Sequence, residues 1–229
     1  MLEQYKTLND GRDIDRPYLY IPSSIILNKE LDAKRVAAYA FFLAYHGRDM
    51  ELMFSLNALI SWCGYVPNAH TGRMNEKFIA LINELEHIGC IKCEDDVSVK
   101  PYTRLLRASV NAKWWQDAMN SGQYAKLYLD EIEKILQCHR KSENDTSTMV
   151  GKDMLVFAYL KMNLVKNSDG KSVYRGFYKS IASDVGLSEK SVSKIIRNLQ
   201  EKGMIDCKNH RTSFDGKCVT LQNTIYLYD

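Results

Sequence analysis

The 229-residue chain lacks the sequence features of membrane and secreted proteins. No apolar run approaches the roughly 18 residues that a membrane-spanning helix needs. The N-terminal stretch is polar and has no apolar signal-peptide core. Six cysteines are too few for a scaffold built on disulfides. We therefore expect a cytoplasmic protein, with no membrane partner, whose cysteines stay reduced.

Familiar enzyme signatures are missing as well. The chain has no glycine-rich phosphate loop, no His-Glu-x-x-His zinc motif and no nucleophile elbow. Its five histidines are scattered, and no pattern pairs carboxylates for acid–base chemistry. We expect no catalytic residues, no cofactor and no small-molecule substrate.

Positive charge is unevenly distributed along the chain. The net charge is only +3, from 31 Lys and Arg against 28 Asp and Glu. Residues 148–229 carry 13 Lys and Arg against 8 Asp and Glu, a surplus of +5, whereas residues 1–147 carry 18 against 20, a balance of −2. The surplus indicates a polyanionic partner for the second part of the chain.

The chain contains an internal repeat. Residues 78–93 align without a gap on residues 192–207, with matching apolar positions and matching glycines. Each copy has the pattern of a helix with one apolar face that ends at a glycine C-cap and runs into a strand. Residues 36–41 align on residues 154–159, so the repeat includes an opening helix. This unit is the core of a winged helix, a fold that commonly places a helix in the DNA major groove.

The second copy has the pattern of a helix-turn-helix. Residues 178–185 form a short predicted helix, Gly186 supplies the turn, and Ser188 N-caps a helix that begins at Glu189. The small side chain of Ala182 lets the two helices cross closely, and glycine permits the tight turn.

The first copy has the same order with a longer turn. Residues 56–64 match the short helix and its glycine. Gly64 lies 14 positions before Phe78, whereas Gly186 lies 6 positions before the aligned Val192. The first copy therefore has an insertion of 8 residues (14 − 6), which lies within residues 65–75. The opening helices are predicted at Asp32–His46, with Gly47 as C-cap, and at Lys152–Leu164.

Both copies continue into a strand, a wing and a return strand. In the second copy these are predicted at residues 204–209, 211–216 and 217–228, where the Asp-Gly pair favours a hairpin. The wing region of the first copy is longer, from Glu94 to about Gln123. It is predicted to contain an extra strand at 104–110, and to be followed by a strand at 126–130 and a helix at 129–137.

The predicted fold is α+β, mainly α, with two winged helix-turn-helix domains in tandem joined by a helix and a short polar linker. We place an N-terminal arm at residues 1–20 and a first domain with an enlarged wing at 21–138. A linker follows at 139–148, and the second domain spans 149–229.

The helix of residues 189–201 carries the main candidate DNA contacts. Projected at 100° per residue, one face is apolar, and the opposite face bears Lys190, Lys194, Arg197 and Glu201. Arginine can bond guanine with two N–H groups, and lysine can contact guanine or phosphate. The alternative is an ordinary solvated helix face. The candidates in the second copy, including the wing, are Lys179, Ser188, Lys190, Ser191, Lys194, Arg197, Asn198, Lys208, His210, Arg211 and Lys217.

The corresponding helix of the first copy presents a different surface. Its outward positions are Glu76, Ala80, Asn83 and His87, with Glu84 and Glu86 beside them. Carboxylates near phosphates are repelled, so only the loop and the helix start fit DNA. The candidates there are Asn68, His70, Thr71, Arg73 and Lys77. The first copy either binds DNA through this segment or makes protein contacts.

Two further patterns have competing interpretations. His87, Cys90 and Cys93 have zinc-ligand spacing, with Cys138-His139 as further ligands. The repeat aligns Cys90 with the apolar Met204, which favours small buried hydrophobes and no metal.

The adjacent pair Trp114-Trp115 could stack on single-stranded nucleic acid. An aromatic pair of this kind more often anchors an excursion of the chain onto the core, and we favour that role here.

Three segments carry a family resemblance: Tyr20–Leu27 (YIPSSIIL), Leu81–Ile91 (LINELEHIGCI) and Tyr128–Leu136 (YLDEIEKIL). With them, most of residues 20–229 resembles tandem winged-helix DNA-binding proteins, in particular replication initiators of bacterial plasmids, phages and integrative elements. The resemblance implies that both winged helices bind repeated sites at an origin and that the first helps to form a homodimer. The acidic helix of the first copy departs from this pattern.

We therefore expect a double-stranded DNA-binding protein, in particular a replication initiator of a mobile element. One alternative is a transcriptional regulator on the same scaffold. An alternative of another class is a module whose winged helices dock onto proteins.

Overall fold

The computed structural model describes residues 16–68, 72–137, 150–214 and 217–227. The fold is α+β, as predicted, with about half of the residues in helices and 21% in strands. All strand pairings in these ranges are antiparallel. Within the same ranges, no helix has the length and apolar character needed to cross a membrane.

The elements divide into two sets along the chain. The first half contains β1 Tyr18–Pro22, α1 Ser23–Ile26, α2 Arg35–Tyr45, a 3₁₀ turn Arg48–Met50, β2 Glu51–Phe54, α3 Leu56–Trp62, α4 Arg73–His87, β3 Ile91–Cys93, β4 Leu106–Val110, α5 Ala112–Ser121, β5 Tyr124–Tyr128 and α6 Leu129–Gln137. The second half contains α7 Val150–Met162, β6 Val165–Lys166, β7 Ser172–Gly176, α8 Tyr178–Val185, α9 Glu189–Glu201, β8 Ile205–Phe214 and β9 Lys217–Leu227.

The two halves share one topology. In the first, β2, β3 and β4 form a sheet in the order β2-β4-β3. In the second, β7, β8 and β9 form the order β7-β9-β8, with β6 added outside β7. In both, the last strand lies between the strand before the helix pair and the strand after it. The separate ribbon β1-β5 belongs to the first half.

The repeated helix–glycine–strand segment has the same backbone hydrogen bonds in both copies. Gly89 and Gly203 follow α4 and α9 with φ of 79° and 61°. The next residue donates its N–H to the helix carbonyl five positions back, at 3.2 Å in the first copy and 3.0 Å in the second. This is the Schellman end that the glycine position predicts.

The short helix, the glycine turn and the capped helix predicted for the second copy are all present. Helix α8 has the predicted bounds, Gly186 has a φ of 74°, and Ser188 caps α9. In the first copy, Gly64 has the matching φ of 80° after α3. The insertion precedes α4, which begins at Arg73. The helix predicted at residues 129–137 is also confirmed, as α6.

Three local predictions were wrong. The strand predicted at 126–130 to be the last strand of the first copy falls in β5, which pairs with β1 in a separate ribbon, and β4 takes the position that β9 has in the second copy. Gly47 is not a left-handed cap, because His46 is extended and the Gly47 N–H donates to the Glu51 carbonyl at 2.6 Å. A turn that leads into β2 has taken the place of the cap. The predicted wing tip at 211–216 is largely strand, since β8 continues to Phe214 with a register shift at Thr212/Ser213. Pairing with β9 extends the hairpin beyond what turn residues alone suggested.

Two of the predicted segments, the N-terminal arm and the linker, lie wholly or partly outside the described residues. The described part of the arm includes residues 18–20, which form the start of β1 and pair with β5. Residues 1–15 are not described, and neither is the linker at 139–148.

A single hydrophobic core joins the two halves. Helix α2 is buried along its whole length from Arg35 to Ala44, and α7 is buried from Asp153 to Leu160. These are the opening helices of the two copies, and they pack against each other at the centre. A helix that is apolar on all sides is typical of a position with neighbours on all sides.

Arg35 is the most deeply buried cation of this core, at 1% exposure. Its guanidinium donates to the carbonyls of Ile25 (2.9 Å), Ile26 (2.8 Å), Leu31 (3.3 Å) and Asp32 (3.4 Å). A further bond of 2.9 Å reaches the carbonyl of Val185 at the end of α8. Burial lowers the pKa of Arg35 to about 10, and the nearby Asp32 carboxylate opposes this shift. Arg35 thus ties the first half to the helix-turn-helix of the second.

Helix α6 adds two more ties between the halves. Lys161 of α7 forms an ion pair of 2.7 Å with Glu131, and both side chains are buried. Lys134 Nζ donates to the Gly203 carbonyl at 3.2 Å. At the start of α7, a Cβ on Gly151 would lie 2.7 Å from Lys34 Cγ, so only glycine fits this close approach.

Replacing Arg35 by methionine is expected to lower the free energy of unfolding by about 3 kcal/mol or more, because it leaves buried carbonyls without a donor. Urea unfolding measures this loss. The matched control is Arg107→Met, which removes an exposed guanidinium that pairs with Glu94 and Asp95 and should cost about 1 kcal/mol or less. Equal losses in the two variants would contradict the role assigned to Arg35.

Gly186→Ala is expected to destabilise the protein by about 1–2 kcal/mol, because a left-handed residue with a Cβ is strained. Thermal or urea unfolding tests this. Gly47→Ala is the control, since Gly47 has no positive φ and its added Cβ would make only an ordinary contact of 3.6 Å. A Gly186 variant as stable as the control would refute the strained turn.

Candidate nucleic-acid interface

Helix α9 is held in place by its cap and by one apolar face. The Ser188 hydroxyl accepts a hydrogen bond from the Ser191 N–H at 3.2 Å, which fixes the first turn. The four residues predicted to face the core are all buried: Val192, Ile195, Ile196 and Leu199. The opposite face of α9 is therefore held outward.

Three cations occupy that outward face, and we refer to Lys190, Lys194 and Arg197 as the α9 cationic face. All three side chains are exposed. Within the described residues, no carboxylate forms an ion pair with any of them. Ser191 and Asn198 flank them and are half-buried. The arrangement leaves cationic donors available to an anionic partner.

Carboxylates as well as further cations lie around this face. Asp184 of α8 accepts a hydrogen bond from the Tyr159 hydroxyl at 2.6 Å, so it is already engaged. Lys179 is exposed on α8. Lys208 is exposed on β8, with Nζ 5.3 Å from the centre of the Tyr226 ring. Exposed carboxylates stand at the two ends of α9, on Glu189 and Glu201.

Tyr178, at the start of α8, borders the α9 cationic face. Its hydroxyl lies 3.3 Å from Cys207 Sγ. Burial, followed by this hydrogen bond, raises the pKa of Tyr178, whereas the nearby charge of Arg197 lowers it. Tyr178 therefore remains a neutral phenol beside Arg197. Sequence reasoning missed this residue, because helical periodicity does not tell which neighbour a partly buried tyrosine meets.

The predicted wing contacts are placed only at backbone level. His210 and Arg211 lie on β8, opposite Gln222 and Leu221 of β9, and Lys217 begins β9. Their side chains lie outside the described part of the structure.

The start of α4 brings together the described candidates of the first half. Arg73 and Lys77 are exposed on its first two turns, and Asn68 is exposed in the preceding loop. The Asn68 N–H donates to Oδ1 of the fully buried Asn75 at 2.7 Å, which ties the loop to the helix. His70 and Thr71 lie outside the described residues.

Two carboxylates beside the outward face of α4 are bound by backbone N–H groups. Glu84 accepts a hydrogen bond from the Asp32 N–H at 3.3 Å, and Glu86 accepts one from the Cys93 N–H at 2.6 Å. Both carboxylates are half-buried, and both accept hydrogen bonds from backbone N–H groups of the first half. The predicted outward positions Glu76, Ala80, Asn83 and His87 are exposed. This face therefore carries the exposed carboxylate of Glu76, with the charges of Glu84 and Glu86 beside it.

The cysteines have the surroundings of packed apolar side chains. Cys90 is fully buried and the aligned Met204 is buried at 5% exposure. The Cys90 thiol donates to the Leu85 carbonyl at 3.2 Å. Burial raises the pKa of Cys90 to about 12 and that of Cys93 to about 12, which disfavours the thiolates that zinc requires. Across the described ranges, no cluster of three or more potential ligands is present. Cys138-His139 falls outside those ranges.

The tryptophan pair anchors α5, which confirms the favoured interpretation. The Trp114 ring lies edge-on to Tyr39, with centroids 6.1 Å apart. Trp115 Nε1 donates to the Tyr20 carbonyl at 3.3 Å. Both rings are half-buried against the core.

No protein-family model matches the chain, and no curated protein shows significant similarity to it.

Ser188→Ala is expected to destabilise the protein by about 1 kcal/mol, because the first turn of α9 loses its cap. Urea unfolding measures the effect. Ser188→Asp should retain the cap and most of the stability, while adding a negative charge beside the α9 cationic face. Ser55 caps α3 in the same way. The variant Ser55→Ala is therefore a matched control that removes a serine cap from a helix other than α9. An alanine variant as stable as the parent would contradict the assigned cap.

Proposed function

We propose that the protein binds double-stranded DNA through two winged helices in tandem, with α9 as the helix that enters the major groove. The single observation that carries this proposal is the α9 cationic face. It consists of three exposed cations without ion-pair partners among the described residues, on a helix whose opposite face is locked into the core.

The topology supports the winged-helix assignment. In each half, an opening helix is followed by a strand (β2 or β7), two helices and two further strands, and the last strand lies between the other two. The second half adds the short strand β6 outside β7. In the second half, β8 and β9 form a long hairpin directly after α9. A hairpin in this position is the wing of such a fold, and it would grip the phosphate backbone beside the groove.

The side chains of α9 suit base and phosphate contacts. Arg197 can bond guanine with two N–H groups, and Asn198 can bond adenine. Lys190 and Lys194 can contact guanine or phosphate. The surplus of +5 over residues 148–229 favours association with a polyanion and predicts strong salt dependence.

For the first half we propose phosphate contacts rather than base reading. Arg73 and Lys77 at the start of α4 can contact phosphate, whereas the rest of the helix carries no lysine or arginine. A second role, protein contact including a homodimer, is favoured by the exposed apolar side chains Met53 (63%) and Leu105 (61%) beside the sheet β2-β4-β3.

We further propose that the DNA-binding protein initiates replication of a mobile element, because its sequence resembles the replication initiators of bacterial plasmids, phages and integrative elements. A transcriptional regulator would use the same α9 contacts. Selection of bound sequences from a random duplex pool distinguishes the two: iterated sites beside the protein's own gene support initiation, and a promoter site supports regulation. A docking module would select no sequence at all.

The combined substitution Lys190→Ala, Lys194→Ala and Arg197→Ala is expected to weaken binding to the selected duplex by at least about a hundredfold, since each lost contact is worth about 1–3 kcal/mol. Fluorescence anisotropy at several salt concentrations measures this. The slope of log affinity against log salt should also fall by about one for each phosphate contact removed.

The control removes three exposed lysines on other elements: Lys92→Ala, Lys113→Ala and Lys166→Ala. It makes the same change in net charge and should retain most of the affinity. Equal weakening in both triple variants would show a general charge effect, and unchanged affinity in the α9 variant would refute the interface.

A further inference from the structure

The ribbon β1-β5 has two contrasting faces. Leu19 and Ile21 of β1 and Ala125 and Leu127 of β5 are buried against the core. The alternate positions carry Lys126, the buried Pro22 at the end of β1, and four tyrosines that are at least partly exposed. We call these four residues the tyrosine ladder: Tyr18, Tyr20, Tyr124 and Tyr128.

The rings of the tyrosine ladder form one continuous array. Tyr20 lies 4.8 Å from Tyr124 and 4.9 Å from Tyr18 between ring centroids. Tyr18 lies 6.0 Å from Tyr128. The interplanar angles of 67–82° make all three contacts edge-to-face, so the rings present both faces and edges at the surface. Tyr124 is 44% exposed, and the other three are half-buried.

Cations lie directly over these rings. Lys126 Nζ is 3.8 Å from the Tyr18 centroid and 4.9 Å from that of Tyr128. The Arg16 guanidinium is 4.1 Å from the Tyr128 centroid and also pairs with Asp130 at 2.9 Å. Aromatic rings and cations therefore alternate along one partly exposed surface.

The ladder is not needed to cover the core, because the opposite face of the ribbon already does so. Proteins that bind single-stranded nucleic acid combine aromatic rings, on which bases stack, with cations that follow the phosphates. A duplex hides the faces of its bases inside the stack, so such a surface selects single strands. Lysine and arginine side chains over the rings can move to phosphate on their long stems and leave a ring face for a base.

We propose that the tyrosine ladder binds single-stranded nucleic acid, with bases stacked on Tyr20 and Tyr124 and phosphates contacted by Lys126 and Arg16. This site is separate from the α9 cationic face and goes beyond the duplex binding proposed for it. The resulting protein would hold a duplex and a single strand on different surfaces.

The test uses the full chain and labelled oligothymidylate and oligouridylate of about 12 nucleotides, within the usual range of site sizes. At low salt, the parent protein should bind at least one of them, and the comparison distinguishes DNA from RNA. Tyr20→Leu with Tyr124→Leu should weaken binding by at least about tenfold, because two stacking contacts are lost. Tyr20→Phe with Tyr124→Phe should retain it, since phenylalanine keeps the ring.

The α9 triple variant separates this proposal from the previous one. It should lose duplex binding and retain the affinity for the single strand, whereas the leucine variant should do the reverse. Loss of single-strand binding in the α9 variant, or no binding of either oligomer by the parent protein, would overturn the ladder site.

Photocrosslinking of a halogenated oligomer to the unmodified protein avoids any effect of substitution on folding. Peptides that contain β1 or β5 should carry the crosslinks. Crosslinks confined to the helix-turn-helix of the second half would also overturn the proposal.

Discussion

A buried guanidinium fixes how the two halves of this protein meet. Arg35 is almost completely buried, and carbonyls of its own half accept hydrogen bonds from most of its N–H groups. One remaining bond reaches Val185, 150 residues away, where α8 ends. Gly186, Ser188 and α9 follow directly, so this contact joins the first half to the segment that leads into the α9 cationic face. Burying the Arg35 guanidinium without these carbonyl acceptors would cost too much free energy. The buried position of Arg35 therefore depends on the Val185 carbonyl before the Gly186 turn as well as on the carbonyls of the first half.

The same position has a different use in the second copy. The repeat aligns Arg35 with Asp153, and both side chains are buried. Asp153 pairs with Lys202 at 2.8 Å and so joins α7 to the end of α9 within one half. The buried charge is retained in position but reversed in sign. In the sequence, these contacts were indicated only by a charged residue at the start of each of two aligned apolar helices. The sequence did not show that Arg35 would bond Val185 or that Asp153 would pair with Lys202.

The two proposed nucleic-acid surfaces rest on different chemistry. The α9 cationic face offers charge and hydrogen-bond donors without aromatic rings, which suits the edges and phosphates of a duplex. The tyrosine ladder offers rings with cations over them, which suits unpaired bases. The shared core holds both surfaces in one body through α2 and α7. On the first copy, Glu84 and Glu86 bond the backbone of their own half, so the repeat preserved the architecture while the surface chemistry diverged.

The sequence by itself determined the features that depend on neighbours along the chain. The bounds of α8, the Ser188 cap and the two glycine helix ends were predicted because caps and apolar periodicity act within a few residues. Only the tertiary structure decided the rest. The extended chain at His46, the length of the β8-β9 hairpin and the partners of Arg35 depend on segments that meet in space. The tyrosine ladder likewise exists because β1 pairs with β5 across more than a hundred residues, and no local pattern specifies such a pairing.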